Sequence, residues 1–263
     1  MTSADGTTIA FDQIGAGNPL VLVAGASCDR AVDARIAGVL AAHFTVLNYD
    51  RRGRGDSTDT PPYAVEREIE DLEILLAAAG GSAVVVGLSS GAALAAYAAA
   101  AGLPISHLVM WEPPFRLDAT AQRAAREYGE QTRALLADGR RGDALELFMT
   151  VVGMPAEMIA GMRQSPYWVQ GENLAPTLAY DAAVMGDGSI PGERFAAITA
   201  ATAVFTGGAS PDWFRAAGRA TTDAIPGAIY RELPGQTHDV APDALAAAVR
   251  EFVSTRAAYA RQP

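Results

Sequence analysis

The stretch from Ser82 to Ala101, SAVVVGLSSGAALAAYAAAA, constrains the chain more than any other. Val84, Val85 and Val86 are β-branched and favour a strand, and the alanine-rich run from Ala92 favours a helix. Between them lies Gly87-Leu88-Ser89-Ser90-Gly91. The order is therefore strand, tight turn, helix. A turn this sharp forces Ser89 into a strained backbone conformation that tolerates only small neighbours, and Gly87 and Gly91 supply the room. Ser89 is expected at the top of a sheet, above a helix N-terminus whose free N–H groups favour a developing negative charge. A Gly-x-Ser-x-Gly pattern alone is weak in a chain so rich in Gly, Ala and Ser. The flanking strand and helix give it weight.

Composition narrows the chemistry around that serine. With 263 residues, half of them hydrophobic, one α/β core with an insertion fits the length. No apolar run is long enough to span a membrane, and Met1 is not followed by a basic and then apolar segment, so a cytoplasmic protein without membrane partners is expected. The net charge of −10, with no basic run longer than Arg51-Arg52, argues against nucleic acid and anionic membranes, and leaves a small, neutral or apolar molecule as the expected partner. Every basic residue apart from histidine is arginine. A P-loop lysine and a Schiff-base lysine are therefore impossible. His43, His107 and His238 share no metal-ligand spacing with one another or with Cys28, so neither a metal nor a cofactor is expected. Cys28 reads as a small buried filler.

Taken in order, Thr7 to Ile14 alternates and ends at Gly15-Ala16-Gly17-Asn18-Pro19, which predicts an opening antiparallel strand. Leu20 to Ala24, Phe44 to Asn48 and His107 to Trp111 are short, continuous apolar runs, the pattern of strands buried on both faces of a parallel sheet. Helical spacing lies between them at Ala31 to Ala42 and at Glu66 to Ala79, whose acids read as a solvated face. Residues 115–198 abandon the alternation for helices in series at Ala119 to Ala137, Asp143 to Val151, Ala156 to Met162 and Asn173 to Met185. They read as a helical cap inserted in a core made of residues 1–114 and 199–263. Met149, Met154, Met158, Met162, Tyr167, Trp168, Tyr180 and Met185 could line an adaptable apolar pocket there, though packing within the cap accounts for any one of them more readily. Ala203 to Thr206 and Ala228 to Leu233 restore the sheet, and Asp243 to Ala257 predicts a terminal helix.

In their order and spacing LVLVAG, YDRRGRGDS, GLSSG and GQTHDVAPDAL resemble the α/β-hydrolase superfamily, over about residues 15–252 and most weakly in the cap. The resemblance implies a mostly parallel sheet covered by helices on both faces, with Ser89 as nucleophile. A serine hydroxyl needs a base within reach. His238, on a loop after the last strand, fits that role, whereas His43 and His107 sit at strand boundaries. The backbone N–H groups of Ala26 and Ser90 would form the oxyanion hole; Ala24 stands where relatives usually carry histidine. Relatives commonly place an aspartate after the strand that follows the cap, and here Gly207-Gly208-Ala209-Ser210 puts Ser210 at that position. Glu112, directly after HLVMW, is the preferred substitute, at a position used by some members such as certain haloalkane dehalogenases. Asp212 is a second candidate, although Pro211-Asp212-Trp213 reads as a helix start, and the absence of any acid is a third reading. The YDRRGRGDS glycines and Asp56 would fix a tight loop, with Arg51, Arg52 and Arg54 in ion pairs. The implied activity is cofactor-independent serine hydrolysis of an ester, lactone or related acyl bond through an acyl-enzyme. A lyase, acyl transferase, haloperoxidase-like enzyme or cyclase on the same scaffold is the alternative, followed by a binding protein without turnover. Serine at the nucleophile position argues against dehalogenase and epoxide-hydrolase chemistry.

Overall fold

A computed structural model of the chain describes residues 1–259. Before the insertion the elements alternate: β1 (Phe11–Ile14), β2 (Asn18–Val23), α1 (Ala34–Leu40), β3 (Phe44–Tyr49), α2 (Val65–Ala78), β4 (Ala83–Leu88), α3 (Ser90–Ala100) and β5 (Ile105–Trp111). The inserted helices are α4 (Ala119–Ala137), α5 (Arg141–Val151), α6 (Ala156–Arg163), α7 (Trp168–Leu174), α8 (Leu178–Met185) and α9 (Gly192–Phe195). The chain then returns to β6 (Ala201–Gly207), α10 (Asp212–Asp223), β7 (Ile229–Leu233) and α11 (Pro242–Tyr259). The helix expected over Asn173 to Met185 is divided by a 3-10 turn at Ala175–Thr177, where Pro176 lacks the N–H that a continuous helix requires. Among the described residues no helix is long and apolar enough to cross a membrane.

The strands form one seven-stranded sheet in the order β1-β3-β2-β4-β5-β6-β7, parallel except for β1 against β3. Side chains alternate across the pleat, so each central strand feeds two cores. Val21, Val23 and Val85 pack with α2 and α3 on one face, while Leu20, Leu22, Val84 and Val86 pack with α1 and α11 on the other. The chain builds outward in one direction from β2 to β3, then crosses to β4 and continues in the opposite direction. The loops leaving the carboxyl ends of β2 and β4 thus diverge at a topological switch point, where open parallel sheets form their binding crevice. Gly25 follows β2 there, and Ser89 follows β4.

The acidic residues of α2 correct the expectation of a solvated face. Glu66 and Glu73 are exposed, but Glu68 and Asp71 are buried. They turn inward, where each neutralises a buried arginine of the loop after β3. Part of the methionine and aromatic stripe of the insertion packs within the insertion itself. Met149 and Trp168 are buried with Leu145, Ile159 and Leu178 in the insertion's own core, with Met154 and Met162 packed against it, while Met158 and Tyr167 face outward.

Candidate active site

Ser89 adopts φ 53° and ψ −121° between β4 and α3. A residue with a Cβ in that region costs about 1–3 kcal/mol and persists only where its surroundings fix it. The fixing is visible on both sides. A Cβ on Gly87 would lie 2.5 Å from the Ala92 Cα, and one on Gly91 would lie 2.4 Å from the Val23 carbonyl oxygen. The two glycines therefore let β4, α3 and the end of β2 approach more closely than any side chain permits. The Ser89 N–H donates to the Trp111 carbonyl at 2.9 Å, which ties the turn to the end of β5.

The next residue along β5, Glu112, also has a positive φ, 43°. Its N–H donates to the Phe205 carbonyl at 3.0 Å. Its carboxylate is fully buried and held on both oxygens. Oε1 accepts the Gly207 N–H at 2.7 Å, and Oε2 lies 2.7 Å from His238 Nδ1. The Trp111 indole N–H donates to the His238 carbonyl at 3.0 Å, and the Phe214 ring stacks on the imidazole with centroids 4.7 Å apart. His238 is thus gripped by ring nitrogen, backbone and ring face, while its side chain keeps 44% exposure. Nε2, the nitrogen opposite the carboxylate contact, has no hydrogen-bond partner among the described residues.

The geometry separates the acid candidates. Asp212 opens α10 with its side chain 94% exposed and paired with Arg215, which corrects it as a partner for His238. Ser210 is buried, and its hydroxyl has no partner among the described residues. Glu112 already binds the N–H at the end of β6, so a second carboxylate at 210 would add like-charge repulsion beside it.

Next to the serine turn, a Cβ on Gly25 would lie 3.2 Å from Ser89 Cβ, so the loop after β2 runs directly alongside. The N–H groups of Ala26 and Ser90 donate to nothing among the described residues. Behind them lies a buried ionic cluster. Asp181 of α8 accepts from Ser90 Oγ at 2.8 Å, from Arg51 Nη1 at 2.8 Å and from Arg54 Nη2 at 2.8 Å. Arg51 also forks onto Glu68, with both bonds at 2.7 Å, and Arg54 donates to the Gly25 carbonyl at 2.6 Å. Burial pushes the Asp181 carboxyl up, but the Arg54 and Arg51 guanidiniums and the Ser90 hydroxyl together hold it below the usual carboxylate value. Glu68 is held low in the same way by Arg51.

The expected ion pairs of Arg51, Arg52 and Arg54 are present, but the tight loop turns on Asp50 rather than Asp56. The buried Asp50 carboxylate accepts the Asp56 N–H at 2.9 Å, and a Cβ on Gly55 would overlap it. Asp56 is largely exposed and pairs with Arg30 at 2.6 Å. Cys28 is half-buried, with its thiol 3.3 Å from the Ala26 carbonyl, and burial pushes that thiol up to about 12. Asp181 and Glu68 carry no local sequence signal, because one is far along the chain in the insertion and the other sits among ordinary helix acids.

The family model for the alpha/beta hydrolase family matches residues 20–251. The chain is similar to an alpha/beta hydrolase from Sphaerobacter thermophilus DSM 20745, at 53% identity over 96% of this chain and 99% of the other, with a TM-score of 0.87. It is also similar to a thermophilic esterase from Thermogutta terrifontis, at 23% identity over 97% and 96% of the two chains, with a TM-score of 0.72. An enol-lactonase from Burkholderia xenovorans LB400 shares 23% identity over 95% and 97%, with a TM-score of 0.63. At these last two identities the likeness is one of fold. No curated protein matches the chain. With the matched residues running from β2 into α11, and the sheet order and serine turn described above, the chain belongs to the alpha/beta hydrolase family.

Proposed function

We propose that this chain is a cofactor-independent serine hydrolase that cleaves an ester, lactone or related acyl bond of a small, largely apolar substrate. The observation that carries the reading is the 2.7 Å contact between His238 Nδ1 and the buried Glu112, at the sheet edge where Ser89 is strained into a turn. Ser89 attacks the acyl carbon, and its proton passes to Nε2 of His238. Glu112 keeps the other proton on Nδ1 and stabilises the imidazolium, which leaves Nε2 free to accept a proton. The N–H groups of Ala26 and Ser90 receive the charge that develops on the carbonyl oxygen. Donors fixed in the backbone need no reorganisation at that moment. The bond to the leaving alcohol breaks as His238 returns the proton to it. Water, deprotonated by the same histidine, then releases the acid from the acyl-enzyme.

The test is turnover of short-chain aryl esters and lactones in H₂¹⁸O by the wild type and by Ser89→Ala. The expected result is one labelled oxygen in the released acid and a loss on the order of 10³-fold or more in Ser89→Ala. Consumption of substrate without label in the product, or full activity in Ser89→Ala, contradicts the reading.

A further inference from the structure

Among the described residues, the buried and half-buried arginines each hold a carboxylate, with one exception, Arg116. Its guanidinium lies over the Trp213 ring, 4.0 Å from the centroid, and makes no hydrogen bond or ion pair among the described residues. The aromatic face offsets part of the charge but accepts none of the five N–H donors. The nearby Asp118 acts on Arg116 through its charge alone, and its Oδ1 caps α4 by accepting the N–H groups of Thr120 and Ala121. Burial pushes the Arg116 guanidinium below its usual value, and the Asp118 charge offsets only part of that.

Arg116 is also fixed in place. Its N–H donates to the Gly188 carbonyl at 2.6 Å, its carbonyl accepts from Gln122 at 3.0 Å, and a Cβ on Gly188 would lie 3.0 Å from its Cγ. It stands four residues beyond Glu112. Trp213 in turn stacks on Phe214 at 3.7 Å, and Phe214 stacks on His238 at 4.7 Å. Successive contacts through the indole and the phenyl ring thus link the Arg116 guanidinium to the imidazole of the proposed base.

We propose that Arg116, laid on Trp213, anchors a carboxylate carried by the substrate, so that the compound cleaved is an acid-bearing ester or lactone. This rests on the hydrolase reading above and narrows its substrate class. A partly desolvated cation without a hydrogen-bonded carboxylate is costly, and a planar guanidinium backed by an aromatic ring is preorganised to take a carboxylate on its edge. The net charge of −10 does not oppose this, because exposed charges beyond about 8 Å are largely screened at physiological salt.

The experiment compares acid-bearing and neutral esters of matched length in the wild type, Arg116→Met and Arg116→Lys. The probes are mono-p-nitrophenyl adipate and suberate against p-nitrophenyl hexanoate and octanoate, with the hexanoate ester of 4-hydroxyphenylacetic acid placing the carboxylate on the alcohol side. The expected result is a wild-type preference, in kcat/KM, for at least one acid-bearing ester. The acid-to-neutral ratio falls on the order of 10- to 100-fold in Arg116→Met and partly recovers in Arg116→Lys. A wild type without preference, or an unchanged ratio in Arg116→Met, overturns the proposal. A binding arm separates it from the hydrolase reading. Suberate raises the melting temperature of Ser89→Ala and not of Ser89→Ala/Arg116→Met if the anchor exists, whether or not any ester turns over. Equal shifts in both overturn it.

Discussion

At the end of β5 a single glutamate is constrained by its backbone and by both carboxylate oxygens. Glu112 holds a positive φ, takes the Gly207 N–H on one oxygen and meets His238 on the other. In Glu112→Gln the amide oxygen keeps the Gly207 bond, but the amide NH₂ now faces Nδ1 and donates to it. That forces the ring proton onto Nε2, the tautomer that cannot accept from a serine. Glu112→Gln is therefore expected to lower kcat by roughly 10³- to 10⁴-fold with little change in KM, as expected for a mistaken tautomer. Asp212→Asn should stay within about twofold, because its carboxylate is solvated and meets only Arg215. Steady-state kinetics with circular dichroism as a folding control reads both. Ser89 and His238 were legible in the sequence because each sits in a short local motif. Glu112 was legible only by resemblance, since its partner lies 126 residues away.

Helix α8 shows where local reading stops. Its Asp181 reaches 130 residues back to Arg51 and also joins Arg54 and Ser90, so it ties the inserted helices to the loops at the sheet's carboxyl edge. Tyr180, its neighbour, stacks on Tyr63 at 3.9 Å, and the Tyr63 hydroxyl donates to Glu68. No periodicity distinguishes Glu68 from the other acids of α2, which is why that face read as solvated. Asp181→Ala leaves two buried guanidiniums short of a partner and should cost about 3–5 kcal/mol. The pH dependence has a definite sign. Asp181 and Glu68 hold their protons less tightly when folded than in the unfolded chain, so unfolding takes up protons and stability rises with pH. Their contribution is complete above the ordinary carboxylate range of about 4 and is lost as the pH falls below it. Urea midpoints measured from pH 7 to pH 3 should drop steeply at the acid end in the wild type and less steeply in Asp181→Ala. Equal acid slopes would contradict that role for the cluster.

Across the whole molecule, the alternation of strands and helices was readable because strands buried on both faces are continuous apolar runs, as at Leu20 to Val23 and Val84 to Val86. Sheet order is less local, yet it positions the candidate site: reversal between β2 and β4 brings Gly25 against Ser89, and the neighbouring N–H groups of Ala26 and Ser90 have no partners among the described residues. The insertion was readable as helices but not in its interior, since methionines at helical spacing fill a core and line a pocket with the same pattern. In the proposed function this arrangement activates Ser89 through His238 and Glu112. The most direct measurement of that activation is the rate and site of fluorophosphonate labelling, followed by intact-protein mass and peptide mapping. The expected result is a single adduct on Ser89, none on folded Ser89→Ala, and much slower labelling of Glu112→Gln. An unlabelled, folded wild type, or an adduct that persists in Ser89→Ala, would contradict it.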